Sequence, residues 1–212
     1  MPSYKLVYFD LRGRGEIVRL CFNAAGVTFD EERIDYPSEW TAEKKAAAPF
    51  GQVPYLEIDG KKFAQSGAIA SYISREYGTV YYALENLFID GVVALTVDYF
   101  DTWVRAYFEE DKCLGRVLVK CSRALVKNIN EQNQLKSKTS CFNCFVGFFL
   151  KICCFFFQLT LADLAVHHTI EVSYRDFPDI YANYPKIVEN RKKVESLPRL
   201  KSYLSSRKVT EI

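Results

Sequence analysis

The sequence predicts an α/β domain followed by an all-α domain. Up to Gly78, short runs of aromatic and β-branched residues alternate with segments of helical apolar periodicity, which is typical of α/β units. After Leu84, apolar residues recur at helical spacing and no strand pattern is present in the sequence. We therefore predict a first domain over residues 1–78, a linker over 79–84 and an all-helical domain over 85–212.

The first half of the α/β domain predicts a strand, a helix, a second strand and a second helix. Tyr4–Phe9 is a short aromatic and branched run, which favours a strand. Glu16–Gly26 has helical periodicity and closes at a glycine, the residue that best accepts the left-handed C′ conformation. Thr28–Ile34 carries consecutive charges, so we expect an edge strand. Trp40–Ala48 is rich in Lys and Ala and stops before a proline, which predicts a helix.

The stretch from Pro49 to Ser66 predicts a β-hairpin that leads into a third helix. Asp59 and Gly60 supply the positive-φ turn between two short alternating runs. Pro54 has no N–H for a sheet ladder and must stand at a strand start, with a cis or trans bond left open. We expect Ser66 to be the N-cap of a helix that closes at Gly78, and its N-terminus to suit a carboxylate.

The all-helical domain begins with two long apolar-periodic segments, Glu85–Asp111 and Val117–Ile129. The Thr160–Asp163 segment has the spacing of a capping box, with Asp in place of the usual Glu or Gln, and predicts the start of another helix. The tail Tyr184–Arg207 is broken at Pro198, so it predicts two short helices.

The composition is that of an ordinary globular protein, with 49% hydrophobic and 25% charged residues. The net charge is +2, and no run of Lys and Arg is interleaved with aromatic residues. Nucleic acid is therefore not expected as a partner. Met1–Lys5 enters the first strand without the charged and apolar pattern of a signal peptide, so we expect a cytoplasmic location.

The cysteines and histidines do not predict a metal site. Cys141 and Cys144 form one CxxC pair, but the two cysteines at 153–154 lack the second CxxC spacing of a zinc site. His167 and His168 are adjacent, and neighbours on a helix point about 100° apart, so both cannot face one ion. We expect no metal, and a structural role for both histidines.

Residues 141–158 form an anomalous segment that is rich in phenylalanine and holds four of the seven cysteines. It is shorter than the ~20 apolar residues of a transmembrane helix and is interrupted by Asn143 and Lys151, so no membrane span is expected. It would suit a buried helix or an interface only if all its faces were covered. Phenylalanine codons are rich in T and one glutamine codon ends in AG. We therefore hypothesise that Phe148–Gln158 is a retained intron.

A set of side chains along the chain is distinctive when its members are taken together in order. These are Tyr8, Arg14, Trp40, Lys44, Gln52, Val53, Pro54, Gln65 and Ser66, followed later by Thr-Leu-Ala-Asp. With this set, residues 1–111 and 159–212 resemble the cytosolic glutathione S-transferases, and the sigma class is the nearest match. The resemblance implies a thioredoxin-like N-terminal domain, with a mixed four-stranded sheet and helices, followed by a C-terminal helical bundle.

The resemblance also implies that glutathione is the co-substrate and that its thiol is activated as a thiolate. A thiol of pKa ~8.5 is only a few per cent ionised at neutral pH, and the thiolate is the nucleophile. A phenol that donates a hydrogen bond to sulfur favours the anion. By resemblance Tyr8 has this catalytic role, and Arg14 adds positive potential or holds the Tyr8 hydroxyl. Taken alone, Tyr8 would be interpreted as a packed strand aromatic.

The same resemblance assigns the other residues of the set to glutathione binding. Gln65 and Ser66 would take the γ-glutamyl carboxylate, and the backbone of Val53, between Gln52 and Pro54, would pair with the cysteinyl amides.

Three further residues bind glutathione by the same resemblance. Trp40 and Lys44 would hold the glycyl carboxylate, and Asp98 would reach across a homodimer into the partner's site. Taken alone, Trp40 would be a core aromatic, Lys44 a solvated helix residue and Asp98 a surface charge.

The function implied by the resemblance is conjugation of glutathione to small hydrophobic electrophiles, as in detoxification. Reduction of hydroperoxides and isomerisation of a prostaglandin-like endoperoxide need the same thiolate and stay open as alternatives. Sigma-class isomerases carry aspartates where this chain has Ala94 and Val97, so metal activation of that kind is not expected. A non-catalytic binding or structural protein on the same fold is the alternative from another class.

Overall fold

A computed structural model describes residues 2–78, 83–108, 159–176, 178–182 and 184–210 of the chain. These residues form two compact units, one of Met1–Val80 with Glu195–Ile212 and one of Tyr81–Val194. Most of the predicted linker, the predicted helix Val117–Ile129 and the segment 141–158 lie outside the described residues.

The first unit is built on a four-stranded mixed sheet with helices, as predicted. Its strand order is β2-β1-β3-β4, in which β1 is parallel to β2, whereas β1 with β3 and β3 with β4 are antiparallel. Its elements are β1 Tyr4–Phe9, α1 Glu16–Ala25, β2 Asp30–Ile34, α2 Ala42–Ala47, β3 Tyr55–Ile58, β4 Lys61–Ala64 and α3 Ser66–Tyr77, with a last helix at Pro198–Ser206.

Strand β1 is central and is buried on both faces. On one face, Tyr4 contacts Phe22 of α1, with ring centroids 5.2 Å apart, and α1 packs against α3. On the other face, Val7 belongs to a buried apolar cluster that the segment between β2 and β3 covers. Burial of both faces agrees with the apolar character of Tyr4–Phe9, and it places the end of β1 inside the unit.

Local turn signals are confirmed at two places. Helix α1 ends at Gly26, whose φ of 69° is left-handed. The turn between β3 and β4 has positive φ at Asp59 and Gly60, and β3 and β4 pair as the predicted hairpin.

The predicted N-cap of α3 is wrong. Ser66 is the first residue of the helix, and Gln65 is the N-cap, with φ 74° and ψ 104° and no side-chain capping bond. A serine N-cap needs an extended backbone at its own position. The non-helical residue before the helix is Gln65, with its positive φ, so Ser66 already lies in the helix. Gly78 follows the last residue of α3 as predicted but is extended, and an added Cβ there would lie 2.2 Å from the Ser74 carbonyl oxygen.

In the second unit, the described helices are α4 Ala83–Phe108, α5 Leu161–Asp176 and α6 Pro185–Ser196, and α4 packs against α5.

The capping box that precedes α5 is confirmed. The Thr160 N–H donates to Asp163 Oδ2 over 2.9 Å, and the Asp163 N–H donates to Thr160 Oγ1 over 3.2 Å. The tail is broken at Pro198 as predicted, so α7 Pro198–Ser206 is separate from α6. Across the described ranges, no helix has the length and apolar character needed to cross a membrane.

Candidate active site

Tyr8 lies near the end of β1, directly before the loop that joins β1 to α1. This loop contains a short 3-10 turn at Gly13–Gly15. The Arg14 backbone N–H in that turn donates a hydrogen bond to Tyr8 Oη over 2.9 Å. Within the described part of the chain, the Tyr8 hydroxyl accepts this bond and donates none, so its proton is available to a ligand.

Two glycines of the loop lie against the Tyr8 ring. A Cβ at Gly13 would be 2.5 Å from Tyr8 Oη, and one at Gly15 would be 2.4 Å from Tyr8 Cδ1. Gly13 also has a positive φ of 37°. Any side chain at either position would displace the Tyr8 ring or the loop. The Gly-Arg-Gly triplet is therefore what allows the Arg14 N–H to approach the hydroxyl so closely.

The environment of Tyr8 keeps its phenol protonated. Burial raises the pKa of Tyr8, and the Arg14 N–H together with the Arg14 and Arg19 charges opposes this in part. The net direction is upward, so at neutral pH the group is a phenol and a hydrogen-bond donor.

Arg19 is a residue that the sequence analysis missed. Its side chain is 1% exposed and its guanidinium lies 5.8 Å from the centre of the Tyr8 ring. It donates to Glu31 over 2.6 Å, to Glu16 over 3.3 Å and to the Leu11 carbonyl over 2.8 Å. The sequence does carry a signal for this residue. Arg19 lies between apolar residues of α1, and a charged side chain in such a place is buried only when it is paired.

The residues predicted to take the γ-glutamyl carboxylate stand at the start of α3. Ser66 is buried, and Gln65 Nε2 donates to Gln52 Oε1 over 3.4 Å. The first intrahelical bond is donated by Ile69 to the Gln65 carbonyl, and the Gln65 side chain caps no N–H. The N–H groups of the first turn therefore point out of the helix end, where an anion is favoured.

Val53 and Trp40, two of the residues predicted to bind the rest of glutathione, lie together on the first unit. Val53 precedes Pro54 across a cis peptide bond, and it packs with Trp40 against the cluster around Val7. Trp40 contacts Phe9 edge-on, with ring centroids 5.5 Å apart, which agrees with the alternative of a core aromatic.

Lys44 and Asp98 are both exposed. Lys44 lies in the first turn of α2, where its backbone N–H is capped by Thr41 Oγ1 over 3.3 Å. Asp98 lies in α4 of the second unit. The described residues contain no group of three or more His, Cys, Asp or Glu side chains placed to hold a metal ion.

Comparison with known proteins identifies the family. Residues 4–75 match the family model described as "Glutathione S-transferase, N-terminal domain", and residues 154–207 match "Glutathione S-transferase, C-terminal domain". The chain belongs to the glutathione S-transferase family. The four-stranded sheet and its helices are accordingly the thioredoxin-like N-terminal domain of a glutathione S-transferase. The described helices of the second unit belong to its helical C-terminal domain.

Relatives of this glutathione S-transferase chain carry three kinds of name. Probable glutathione S-transferase 6 of Caenorhabditis elegans is 35% identical over 98% of both chains. Hematopoietic prostaglandin D synthase of Gallus gallus and S-crystallin 2 of Octopus vulgaris are each 33% identical over 100% of both chains. Among solved structures, a glutathione S-transferase of the hookworm Necator americanus, described as monomeric, superposes with a TM-score of 0.80 at 27% identity, over 99% of this chain and 100% of that one. Together these relatives support a glutathione transferase function.

Proposed function

We propose that this glutathione transferase is sigma-class-like and that Tyr8 activates glutathione by donating a hydrogen bond to its thiolate. The observation that carries the proposal is the 2.9 Å bond from the Arg14 N–H to the Tyr8 hydroxyl. This bond occupies an acceptor position of the oxygen, so the hydroxyl proton is left to point at sulfur. Burial keeps that proton on the oxygen at neutral pH.

In this proposal glutathione lies along the first unit. The helix end at Gln65 and Ser66 takes the γ-glutamyl carboxylate, and the Val53 backbone, next to the cis Pro54, pairs with the cysteinyl amides. Trp40 and Lys44 hold the glycyl carboxylate, for which the exposed Lys44 supplies a point charge.

The test combines binding and chemistry on the purified full chain. We expect the protein to be retained on immobilised glutathione, to be eluted by free glutathione, and to conjugate glutathione to a chromogenic electrophile. A protein that is retained but shows no conjugation and no lowered thiol pKa would support the non-catalytic alternative. A protein that is not retained would refute the binding proposal.

Isomerisation of a prostaglandin-type endoperoxide is a second candidate, favoured by the 33% identity with the Gallus gallus synthase. It uses the same Tyr8 and the same thiolate, and a parallel assay with an endoperoxide substrate and product analysis tests it. Ala94 and Val97, on α4, offer no carboxylate for a metal, so we expect activity in the candidate isomerase assay to be insensitive to magnesium and chelator.

We further propose that the protein acts in the cytoplasm, in detoxification, on small hydrophobic electrophiles, and without a metal. Imaging of the tagged chain in its own cells checks the location.

A further inference from the structure

The last helix of the chain and the residues after it contact the loop that holds Tyr8. We refer to Tyr203–Thr210 as the C-terminal segment. Tyr203 Oη donates to both carboxylate oxygens of Glu16, over 3.1 and 3.0 Å, and Arg207 forms an ion pair with the same carboxylate. Glu16 is 1% exposed and is the first residue of α1. The end of the loop is therefore bound to the C-terminal segment inside the first unit.

The middle and the start of the loop are bound to the same segment. The Arg12 backbone N–H donates to Thr210 Oγ1 over 3.1 Å, and Arg12 Nε donates to the same oxygen over 3.2 Å. Arg12 Nη2 donates to the Thr210 carbonyl oxygen. Lys208 forms an ion pair with Asp10, the residue that follows β1. Asp10 and Arg12 of the loop, and Glu16 where the loop enters α1, thus each have a partner in the C-terminal segment.

The position of this loop determines the geometry at Tyr8. The Arg14 N–H that bonds the Tyr8 hydroxyl lies between Arg12 of the loop and Glu16 at the start of α1, and both of these residues bond to the C-terminal segment. Because a Cβ added at Gly13 or Gly15 would fall within 2.5 Å of a Tyr8 atom, there is no spare room between the loop and the ring, and a movement of the loop toward the ring must move the ring. A shift that lengthens a hydrogen bond by a few tenths of an ångström weakens it substantially.

We propose that the C-terminal segment is a positioning element for the catalytic tyrosine, which holds the β1–α1 loop so that the Arg14 N–H remains on the Tyr8 hydroxyl. Lys208 and Thr210 are then positioning residues that act through Asp10 and Arg12. The predicted effect of the segment on thiol activation rests on the proposed function, whereas its predicted effect on the position of the loop does not.

The experiment compares two variants of the segment with a matched control. Thr210→Val keeps the size of the side chain and removes the oxygen that accepts from Arg12, and Lys208→Ala removes the pair with Asp10. The control is Arg199→Gln. Arg199 Nη1, on the same helix α7, donates to the Ala25 carbonyl over 3.0 Å, at the opposite end of α1 from the loop.

Three measurements are made on each full-length variant. They are amide hydrogen exchange of residues 11–16, the pKa of the bound glutathione thiol from the ultraviolet absorbance of its thiolate, and the pH profile of kcat/KM. We expect faster exchange in residues 11–16, a raised thiol pKa and a loss of about 2- to 10-fold in kcat/KM below that pKa, because one hydrogen bond is removed. The loss should shrink as pH rises and the thiol ionises by itself. Arg199→Gln should change none of the three.

Unchanged exchange and an unchanged thiol pKa in folded Thr210→Val and Lys208→Ala would overturn the inference. So would equal changes in the Arg199→Gln control, because they would indicate a general loss of stability. If the wild-type protein does not lower the thiol pKa at all, the proposed function has failed instead. Hydrogen exchange of the loop then still decides whether the segment positions it.

Discussion

Tyr8 combines two properties that a donor to a thiolate requires, a retained proton and a defined direction. Burial raises its pKa, so the proton stays on oxygen at neutral pH, and the Arg14 N–H fixes the hydroxyl from the opposite side. A hydrogen bond to a charged sulfur in a buried site is stronger than the same bond in water, because less solvent competes for it. In the proposed function, this single phenol shifts the thiol equilibrium toward the thiolate.

Replacement of this phenol is the most direct test at the residue scale. We expect Tyr8→Phe to leave glutathione binding nearly unchanged and to lower kcat/KM. The loss should correspond to about 2 to 4 kcal/mol of transition-state stabilisation, since one donor to the anion is lost. The thiol pKa should rise, so the pH profile moves upward. Tyr55→Phe is the control, because Tyr55 is a similarly buried tyrosine of the same sheet. Full activity with an unchanged thiol titration in Tyr8→Phe would make Tyr8 a packing residue.

Arg19 gives a second prediction, on stability. Its guanidinium is buried with Glu16 and Glu31, so Arg19→Met removes a buried cation from both carboxylates, although Arg207 stays with Glu16 and Arg33 with Glu31. We expect a loss of about 3 kcal/mol of unfolding free energy, the lower end of the range for breaking a buried ion pair. Arg33 also pairs with Glu31 but is 34% exposed, so Arg33→Met should cost only about 0 to 1 kcal/mol. Urea denaturation measures both. Equal losses for the two variants would contradict the ranking by burial.

These residues also show what sequence can and cannot predict. The sequence predicts a site role for Tyr8 because Tyr8 belongs to an ordered set with a family resemblance, whereas it marks Glu16 only as the start of a helix and gives Arg19 no role. The partners that bury Glu16, Tyr203 and Arg207, lie far along the chain. No local pattern encodes such a contact, so sequence reasoning could not find it.

At the scale of elements, predictions that depend on a few neighbouring residues are confirmed. The Asp59-Gly60 turn and the Gly26 helix end need only positive φ, which local residue type favours. The start of α3 was misplaced by one residue, because Gln65 adopts φ 74° although its type does not favour it. Tertiary contacts decide such a conformation, and they are not visible in the sequence.

The capping box provides a prediction at this scale. Asp163 is buried and accepts from the Thr160 N–H, from Asn190 Nδ2 over 2.8 Å and from Lys193 Nζ over 3.0 Å. The Thr160 hydroxyl also donates to Asp163 Oδ2 over 3.0 Å. Thr160→Ala should therefore cost about 1 kcal/mol of unfolding free energy, and Asp163→Ala about 3 kcal/mol, since four donors lose their acceptor. Thr102→Ala, at an exposed position of α4, should change stability by less than about 0.5 kcal/mol. Chemical denaturation checks the order, and an Asp163→Ala variant as stable as Thr102→Ala would refute it.

At the scale of the whole molecule, the grouping of residues 195–212 with the first unit follows from contacts that periodicity does not report. The proline in the tail Tyr184–Arg207 predicts a separate helix after it, and Pro198–Ser206 confirms this, but the sequence does not say which unit that helix packs against. In the sequence, the Arg and Lys positions of this tail look solvated, but Arg207, and Lys208 after it, form ion pairs. Their partners, Glu16 and Asp10, stand at the other end of the chain.

The proposed role of Asp98 requires a homodimer, and this is a prediction at the same scale. We expect specific activity to fall on dilution, as dimers dissociate, and Asp98→Asn to weaken glutathione binding without changing the dissociation of the dimer. Asp101→Asn is the control on the same helix. Sedimentation of an active monomer would remove both the dimer and the role of Asp98.

The anomalous segment 141–158, which lies outside the described residues, carries the last prediction. An aromatic run of this kind is tolerated only if it is fully covered, because an exposed one promotes aggregation. If Phe148–Gln158 is translated intron, the mature transcript joins the codons of Gly147 and Leu159 directly, and sequencing across codons 140–162 should show this junction. A chain without Phe148–Gln158 should then express in soluble form, with glutathione retention and conjugation at least equal to those of the long chain. If peptide mapping instead finds residues 148–158 in soluble, active protein, the intron hypothesis is wrong. The segment would then be a genuine part of the enzyme, buried against its core or a dimer partner.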